Sequence, residues 1–205
     1  MNSENEPVNQ APLDTKTDSS KKKTKSTILI ILKEILVFIL ISVGIVLPFR
    51  IYIAEPYIVS GASMDPTFET GDYLIVDKIS YEIGKPKRNT VVIFRYPNDP
   101  SKSFIKRIIG LPGEKVVMKD NIVSIINTEN PNGFVVDQSY VTHKSPSTFE
   151  KELGPDEYFV MGDNRLESFD SRSWGPLPSK YILGEPILRL LPLKKIGVLP
   201  GDDIK

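Results

Sequence analysis

The sequence contains no cysteine and only one histidine, His143, among its 205 residues. The absence of cysteine excludes a disulfide framework, a thiol nucleophile and a zinc–thiolate site. A single histidine excludes a metal centre with several histidine ligands, and any serine–histidine–aspartate triad would have to use His143. An excess of charge is also absent, because 26 basic residues balance 26 acidic ones. This balance argues against a nucleic acid as partner.

One long apolar run stands out from an otherwise ordinary composition. Residues 27–49, as a helix, would span about 34 Å, which is enough for a hydrocarbon layer of roughly 30 Å. Lys33 and Glu34 interrupt the run near its start, where a lysine can snorkel to the interface. Residues 1–26 are polar and have no aromatic side chain. We therefore predict a disordered tail over 1–26 and a transmembrane helix over 27–49.

The charges around the apolar run predict its direction. A basic cluster, Lys21–Lys25, precedes the run, and Arg50 alone follows it closely. The positive-inside rule then predicts a cytoplasmic N-terminus and an extracytoplasmic domain over residues 50–205. A cleaved signal peptide and a buried core helix are the alternatives. The length of the run, its all-round apolar surface and the lack of a small-residue cleavage site disfavour both.

Beyond Arg50 the pattern changes to short apolar segments separated by Gly, Pro, Asn and Asp. Residues 127–156 have little apolar pattern and are predicted as a long loop, and 179–183 are a candidate short helix. A hairpin turn is expected at Lys119–Asn121. The domain is therefore predicted to be mainly β. The predicted strands are Tyr73–Asp77, Val91–Arg95, Phe104–Ile109, Val116–Met118, Ile122–Ile126 and Tyr158–Met161.

Ser63 lies fourteen residues after the apolar run and is a candidate nucleophile near the membrane surface. A serine hydroxyl needs a base. His143 suits by type but lies in a polar loop segment, typical of an exposed histidine. A lysine serves only if burial lowers its pKa, and Lys106 lies in an apolar strand with hydrophobic residues on both faces. Its neighbour Arg107 cannot give up its proton. The residues alone do not decide between His143 and Lys106 as the base.

Four segments occur in the order found in one protein family. They are Gly61–Thr67, Gly71–Lys78, Lys106–Glu114 and Gly162–Gly175. Together with the apolar run, they resemble the sequence boxes of type I signal peptidases, the membrane-bound Ser-Lys proteases of the peptidase S26 family. The resemblance covers nearly all of the predicted exported domain.

The resemblance implies roles for five residues. Ser63 would be the nucleophile and Lys106 the general base. Ser168 would hydrogen-bond to the lysine and orient it. Asp170 and Arg172 would form a salt bridge that shapes the site.

Five further positions follow from the same resemblance. Gly162, Asp163 and Asn164 would form the turn that places their segment beside the lysine. Met64 would line the pocket for the small residue before the cut. Gly61 stands where some members have a serine that donates to the oxyanion, so the oxyanion hole would depend mainly on backbone N–H groups, notably that of Ser63.

The family implies an antiparallel β-sheet catalytic domain behind one transmembrane helix. It implies a serine endopeptidase that removes signal peptides from exported preproteins at the outer face of the membrane, after small residues in an Ala-x-Ala-like pattern. The reaction passes through an acyl-enzyme and uses neither metal nor cofactor. Signal peptides and the lipid bilayer are the expected partners of a monomer. The plasma membrane is the expected location, with a thylakoid membrane as the alternative.

Two other functions remain as hypotheses. A self-cleaving repressor of the SOS type would also use a Ser-Lys pair, but the anchor and the lack of a DNA-binding half argue against it. A catalytically silent, membrane-tethered β-domain would bind secreted chains without cutting them. The presence of both Ser63 and Lys106 argues against this second hypothesis.

Overall fold

The structure is a computed structural model that describes residues 17–46, 54–78 and 84–201. The chain divides into two compact units, residues 1–48 and residues 49–205. The first unit contains the apolar helix and the second contains the strands.

The N-terminal unit is a helix, α1, over Thr17–Ile41, continued by a π-helical turn at Ser42–Val46. By length and composition, Thr27–Ile45 is apolar enough to cross a membrane. Helix α1 begins at Thr17, so it includes residues 17–26 of the predicted tail. Extending an existing helix costs less than nucleating one, and lysine is a good helix former. Residues 1–16 and 47–49 lie outside the described part of the chain.

The second unit is built from strands β1 to β12. Two 3₁₀ turns, Ser179–Tyr181 and Leu193–Lys195, flank β11, and a four-residue helix, α2, spans Ser171–Trp174. The strands in chain order are Ala54–Ile58, Tyr73–Asp77, Val91–Tyr96, Asp99–Gly110, Lys115–Lys119, Ile122–Ile126, Phe134–Val135, Phe149–Glu152, Glu157–Met161, Leu177–Pro178, Ile182–Leu191 and Gly197–Val198.

The strands form two antiparallel sheets. The larger has the order β1-β2-β11-β3-β4-β9-β10, with β12 paired to β11, and the smaller has the order β7-β6-β5-β8. Strand β4 is central in the larger sheet, where Lys106 pairs with Val92 of β3 and Arg107 with Met161 of β9. The prediction of a mainly antiparallel β domain is confirmed, and all six predicted strands are present.

The structure differs from the predicted pattern in two places. Residues 127–156 are not simply a loop, because they contain β7 and β8, both of which pair in the smaller sheet. The helix expected over 179–183 is a single 3₁₀ turn, and β11 begins directly after it. The hairpin turn between β5 and β6 is confirmed, with Asp120 and Asn121 at positive φ, as a two-residue hairpin requires.

A buried apolar cluster lies under the segment that follows β1. It brings together side chains from this segment, from β2 and from β3, and Ile105 of β4 packs against it. Its fully buried members are Val59, Met64, Phe68, Leu74, Val76, Val91 and Ile93. This core therefore supports the backbone on both sides of Ser63.

Candidate active site

Strand β4 brings Lys106 to the Ser63 side chain, 43 residues away in the sequence. Lys106 Nζ donates a hydrogen bond to Ser63 Oγ over 2.7 Å and a second to the Ile105 carbonyl over 2.9 Å. The lysine is only 4% exposed. The predicted contact between the two candidate catalytic residues is present, and it places a base within proton-transfer distance of a hydroxyl.

Burial changes the protonation of Lys106. It lowers the pKa of the amine from 10.5 to about 8, while the carboxylates of Asp170 and Asp163 oppose the shift and the Arg172 guanidinium adds to it. The ring centre of Phe104 lies 5.5 Å from Nζ. At pH 7 about one lysine in eleven is then neutral, against about one in 3,000 at the ordinary pKa. A neutral lysine can accept the Ser63 proton.

The backbone around Ser63 is fixed from both sides. Gly61 has φ +98°, a conformation that favours glycine, and its N–H donates to Thr70 Oγ1 over 3.0 Å. On the other side, the Asn164 N–H donates to the Ser63 carbonyl over 3.1 Å. Since Asn164 lies in the turn predicted to approach the lysine, this turn contacts the nucleophile segment directly.

Gly162 is required by close packing. A Cβ atom there would lie 2.3 Å from the Ser63 carbonyl oxygen and 2.3 Å from Ser168 Oγ. The Gly162 N–H donates to Ser168 Oγ over 3.1 Å and to Asp170 Oδ2 over 3.0 Å. Among the described residues, Ser168 has no hydrogen bond to Lys106, whose Nζ donates to Ser63 and Ile105. Ser168 therefore holds the turn rather than the amine in this structure.

The predicted salt bridge between Asp170 and Arg172 is present. Arg172 Nε and Nη2 each contact one carboxylate oxygen of Asp170 over 2.8 Å, a bidentate arrangement. Asp170 is fully buried and also caps α2 by accepting from the Arg172 N–H. Arg172 Nη2 donates to the Arg165 carbonyl as well. The pair thus joins the two ends of the Gly162–Gly175 segment.

A second buried ion pair was not predicted from the sequence. Arg107, next to Lys106 but on the opposite face of β4, donates to both carboxylate oxygens of Asp163 over 2.9 and 2.7 Å. Both side chains are 0% exposed. Thr67 Oγ1 donates to the same carboxylate over 2.7 Å. The sequence signal was a Lys-Arg pair in a strand with hydrophobic residues on both faces, and both cations are buried.

The family described as signal peptidase, peptidase S26, matches residues 32–191. The chain belongs to this family. A protein described as a probable signal peptidase I-2 from Synechocystis sp. is 35% identical over 199 residues, which cover 90% of this chain and 84% of that protein. A probable thylakoidal processing peptidase 2 of Arabidopsis thaliana, chloroplastic, is 36% identical over 166 residues, covering 76% of this chain and 43% of that protein.

A solved structure of a signal peptidase I from Enterococcus faecalis V583 is also similar. It is 28% identical in sequence, with a TM-score of 0.43, and the match covers 50% of this chain and 97% of that chain.

The serine and lysine of this signal peptidase family member open into a surface groove of about 250 Å³. Its walls come from the segment after β1 and from β4, with two residues of the Gly162–Gly175 segment at its rim. The lining residues are Tyr57–Ser63, Ile93, Ser103–Lys106, Glu167 and Phe169. Met64 is not among the described lining residues. It is 1% exposed and packs in the core below the groove, since it points inward where Ser63 points outward.

His143 lies in an exposed loop, as its polar surroundings predicted. Its Nδ1 is 2.9 Å from the Thr142 hydroxyl, and its carbonyl accepts from the Arg165 N–H. Within residues 17–46, 54–78 and 84–201, no group of three or more histidine, aspartate or glutamate side chains is arranged to hold a metal ion.

Proposed function

We propose that Ser63 and Lys106 form the catalytic dyad with which this signal peptidase family member removes signal peptides. The observation that carries the proposal is the 2.7 Å contact between Ser63 Oγ and a buried Lys106 whose pKa is about 8. Neither a hydroxyl alone nor a solvated lysine would react at neutral pH. Together they supply an activated nucleophile.

The reaction is acyl transfer in two halves. Neutral Lys106 takes the Ser63 proton while Oγ bonds to the scissile carbonyl carbon and the carbonyl oxygen becomes an oxyanion. As the oxyanion collapses, protonated Lys106 gives this proton to the departing amine, the carbon–nitrogen bond breaks and an acyl-enzyme remains. Lys106 then takes a proton from water, the hydroxide attacks the ester, and the lysine returns the proton to Ser63 Oγ.

Backbone donors stabilise the oxyanion in this proposal. Gly61 has no side chain to contribute, so the Ser63 N–H is the principal donor, an interaction typically worth about 3–4 kcal/mol. The positive φ of Gly61 turns the chain just before Ser63. A Cβ at Gly61 would point into open space, with no atom within 4 Å. Because glycine lacks this atom, a substrate strand can approach the backbone closely there.

The groove selects an extended segment with small side chains. It runs between Tyr57–Ser63 and Ser103–Lys106, two segments whose backbones can pair with an added strand. About 250 Å³ leaves space for small residues at the first and third positions before the cut, the Ala-x-Ala-like pattern. We assign the pocket for the first of these residues to the groove wall at Ala62 and Ile105, not to Met64.

The single N-terminal apolar helix would anchor the enzyme in its membrane. Thr27–Ile45 spans about 28 Å as a helix, and the Lys21–Lys25 cluster before it assigns the N-terminus to the cytoplasm. Residues 50–205 then work as a monomer at the outer face, where the cleavage sites of exported preproteins emerge. The plasma membrane is the proposed location. A relative described as thylakoidal keeps the thylakoid membrane as the alternative, which membrane fractionation decides.

The test is cleavage of a preprotein by the full-length protein in detergent. Ser63→Ala and Lys106→Arg should each abolish cleavage, the first because the nucleophile is lost and the second because arginine stays protonated. His143→Ala is the matched control and should cleave at the wild-type rate. An inactive His143→Ala together with an active Lys106→Arg would replace the dyad by a histidine mechanism. A wild-type protein that binds but never cuts would favour the silent binding domain.

A further inference from the structure

The last described residues of the chain return to the interior of the catalytic unit. After β12, which pairs with β11 at Leu188 and Arg189, the Leu199 N–H donates to the Ile187 carbonyl over 2.8 Å. Leu199 has φ +47°, a left-handed conformation that redirects the chain. Pro200 and Gly201 are buried as a result. We call Leu199–Gly201 the C-terminal strap.

The end of the strap fits only glycine. Gly201 has φ +104°, and a Cβ atom there would lie 3.0 Å from Val91 Cγ2 and 3.1 Å from Phe68 Cε2. Both neighbours belong to the apolar core beneath Ser63. Any side chain at this position would therefore push the strap away from the core.

The Gly201 carbonyl contacts the buried arginine of the site. Arg107 Nη1 donates to the Gly201 carbonyl over 2.9 Å, while its other nitrogens hold the Asp163 carboxylate. Asp163 precedes Asn164, whose N–H donates to the Ser63 carbonyl. Hydrogen bonds thus connect the strap through Arg107 to Asp163, and the next residue along the chain, Asn164, hydrogen-bonds to the nucleophile segment.

A second route joins the same parts of the fold. Arg189, in the section of β11 that pairs with β12, donates to the Thr67 carbonyl and forms an ion pair with Asp72. Thr67 Oγ1 in turn donates to Asp163. The strap and β11, the strand to which it hydrogen-bonds, are therefore each connected to the carboxylate behind the dyad.

We propose that the C-terminal strap is a positioning element of the active site. Its Gly201 carbonyl holds the Arg107 guanidinium together with the Asn89 carbonyl. Arg107 in turn holds Asp163 and, through the turn at Asn164, the backbone of Ser63. This inference rests on the proposed dyad. Gly201, which lies 94 positions after Arg107 in the sequence, thus helps to set the geometry of the reaction.

The proposal has a signature in the pH profile. The charged groups that act on Lys106 are Asp170, Asp163 and Arg172. If the strap is displaced, Arg107 is held less firmly and the Asp163 carboxylate is neutralised less completely. Its negative charge then favours protonated Lys106 more strongly, and the acid limb of the activity profile moves to higher pH. A purely structural contact would lower activity equally at every pH.

The experiment compares two glycine substitutions near the same chain end. Gly201→Ala should lower kcat at least tenfold at pH 8, change KM less than twofold and move the acid limb to higher pH. Gly197→Ala, whose added Cβ would meet nothing closer than 3.9 Å, should stay within twofold of wild type throughout. Equal kinetics for the two variants, or a loss in Gly201→Ala that is independent of pH, would overturn the proposal.

Two further variants keep the test decisive. If Gly201→Ala does not fold, Pro200→Gly loosens the strap without adding atoms, and it should lower kcat about threefold; wild-type kcat would overturn the proposal. Gly201→Ala placed in an Arg107→Lys background should cause little further loss, because both changes act on one pathway. If Gly201→Ala lowers kcat by the same factor in the Arg107→Lys background as in the wild type, the proposal is contradicted. Failure of the dyad itself is seen separately, as residual cleavage by Ser63→Ala.

Discussion

Replacing Lys106 with methionine should abolish cleavage and make the protein more stable at neutral pH. The lysine is 4% exposed, and burial lowers its pKa from 10.5 to about 8. In the unfolded chain the amine is free to hold its proton. The pKa of Lys106 is therefore about 2.5 lower in the folded than in the unfolded state, and at pH 7 this difference destabilises the folded state by roughly 3 kcal/mol. Methionine has a similar length and carries no charge, so it avoids this cost.

The net gain in the stability of Lys106→Met is smaller than the cost that methionine avoids. Methionine also loses the hydrogen bonds to Ser63 Oγ and to the Ile105 carbonyl, which together cost about 2 kcal/mol. The expected result is an increase of about 1 kcal/mol in the free energy of unfolding at pH 7. Because the folded pKa of Lys106 is the lower one, the cost of burying the charge is complete below pH 8 and disappears as pH rises through 10.5. At pH 10 the variant should therefore be about 1 kcal/mol less stable than the wild type.

The assay is urea unfolding of the full-length protein in detergent, followed by fluorescence of the single tryptophan, Trp174. Trp174 packs against Phe94 and Tyr96, so unfolding of the catalytic unit changes its surroundings. Lys102→Met, an exposed position on the same strand, is the matched control and should change stability little at either pH. A Lys106→Met variant that is less stable than wild type at pH 7, or whose gain persists at pH 10, would refute the reasoning.

Two remaining predictions concern activity. The ratio kcat/KM should rise with pH through an apparent pKa of about 8, because only neutral Lys106 accepts the Ser63 proton. The His143→Ala variant should show the same pH profile. If the wild type instead loses activity near pH 6 and this loss vanishes in His143→Ala, the assignment of Lys106 as the base is contradicted. Gly162→Ala should reduce kcat at least a hundredfold, because its Cβ would lie 2.3 Å from the Ser63 carbonyl oxygen. Gly197→Ala, whose Cβ would meet nothing closer than 3.9 Å, is the matched control and should remain active.

The residues alone predict the local features of the site, but they do not predict its long-range contacts. Ser63 and Lys106 lie in short segments whose composition restricts their chemistry, and their contact followed from the family resemblance. The hydrogen bond from Arg107 to Asp163 joins residues 56 positions apart, and no local pattern encodes it. The sequence also does not show which way Met64 faces, and in the structure it is buried in the core beneath the groove.

The strands that were not predicted have weak periodicity for physical reasons. Strand β8, Phe149–Glu152, presents three charged residues and lies at the edge of its sheet, where burial does not impose alternation. Strand β11, Ile182–Leu191, contains Gly184 and Pro186, and its register with β2 shifts after Pro186. Glycine and proline both weaken a strand signal. Its place in the sheet comes from pairing on two sides, which the sequence does not display.

Lys106 and Arg107 show how one strand holds two neighbouring basic side chains in different surroundings. They face opposite sides of β4, and Arg107 finds a carboxylate in contact, Asp163, whereas Lys106 finds a hydroxyl and a carbonyl. Arg107→Met should therefore act in the opposite direction to Lys106→Met and lower stability by about 3–5 kcal/mol, because Asp163 would keep a buried, unpaired charge. The same urea titration measures both variants. If the two substitutions shifted stability in the same direction, the carboxylate partner of Arg107 would not be what distinguishes its site from that of Lys106.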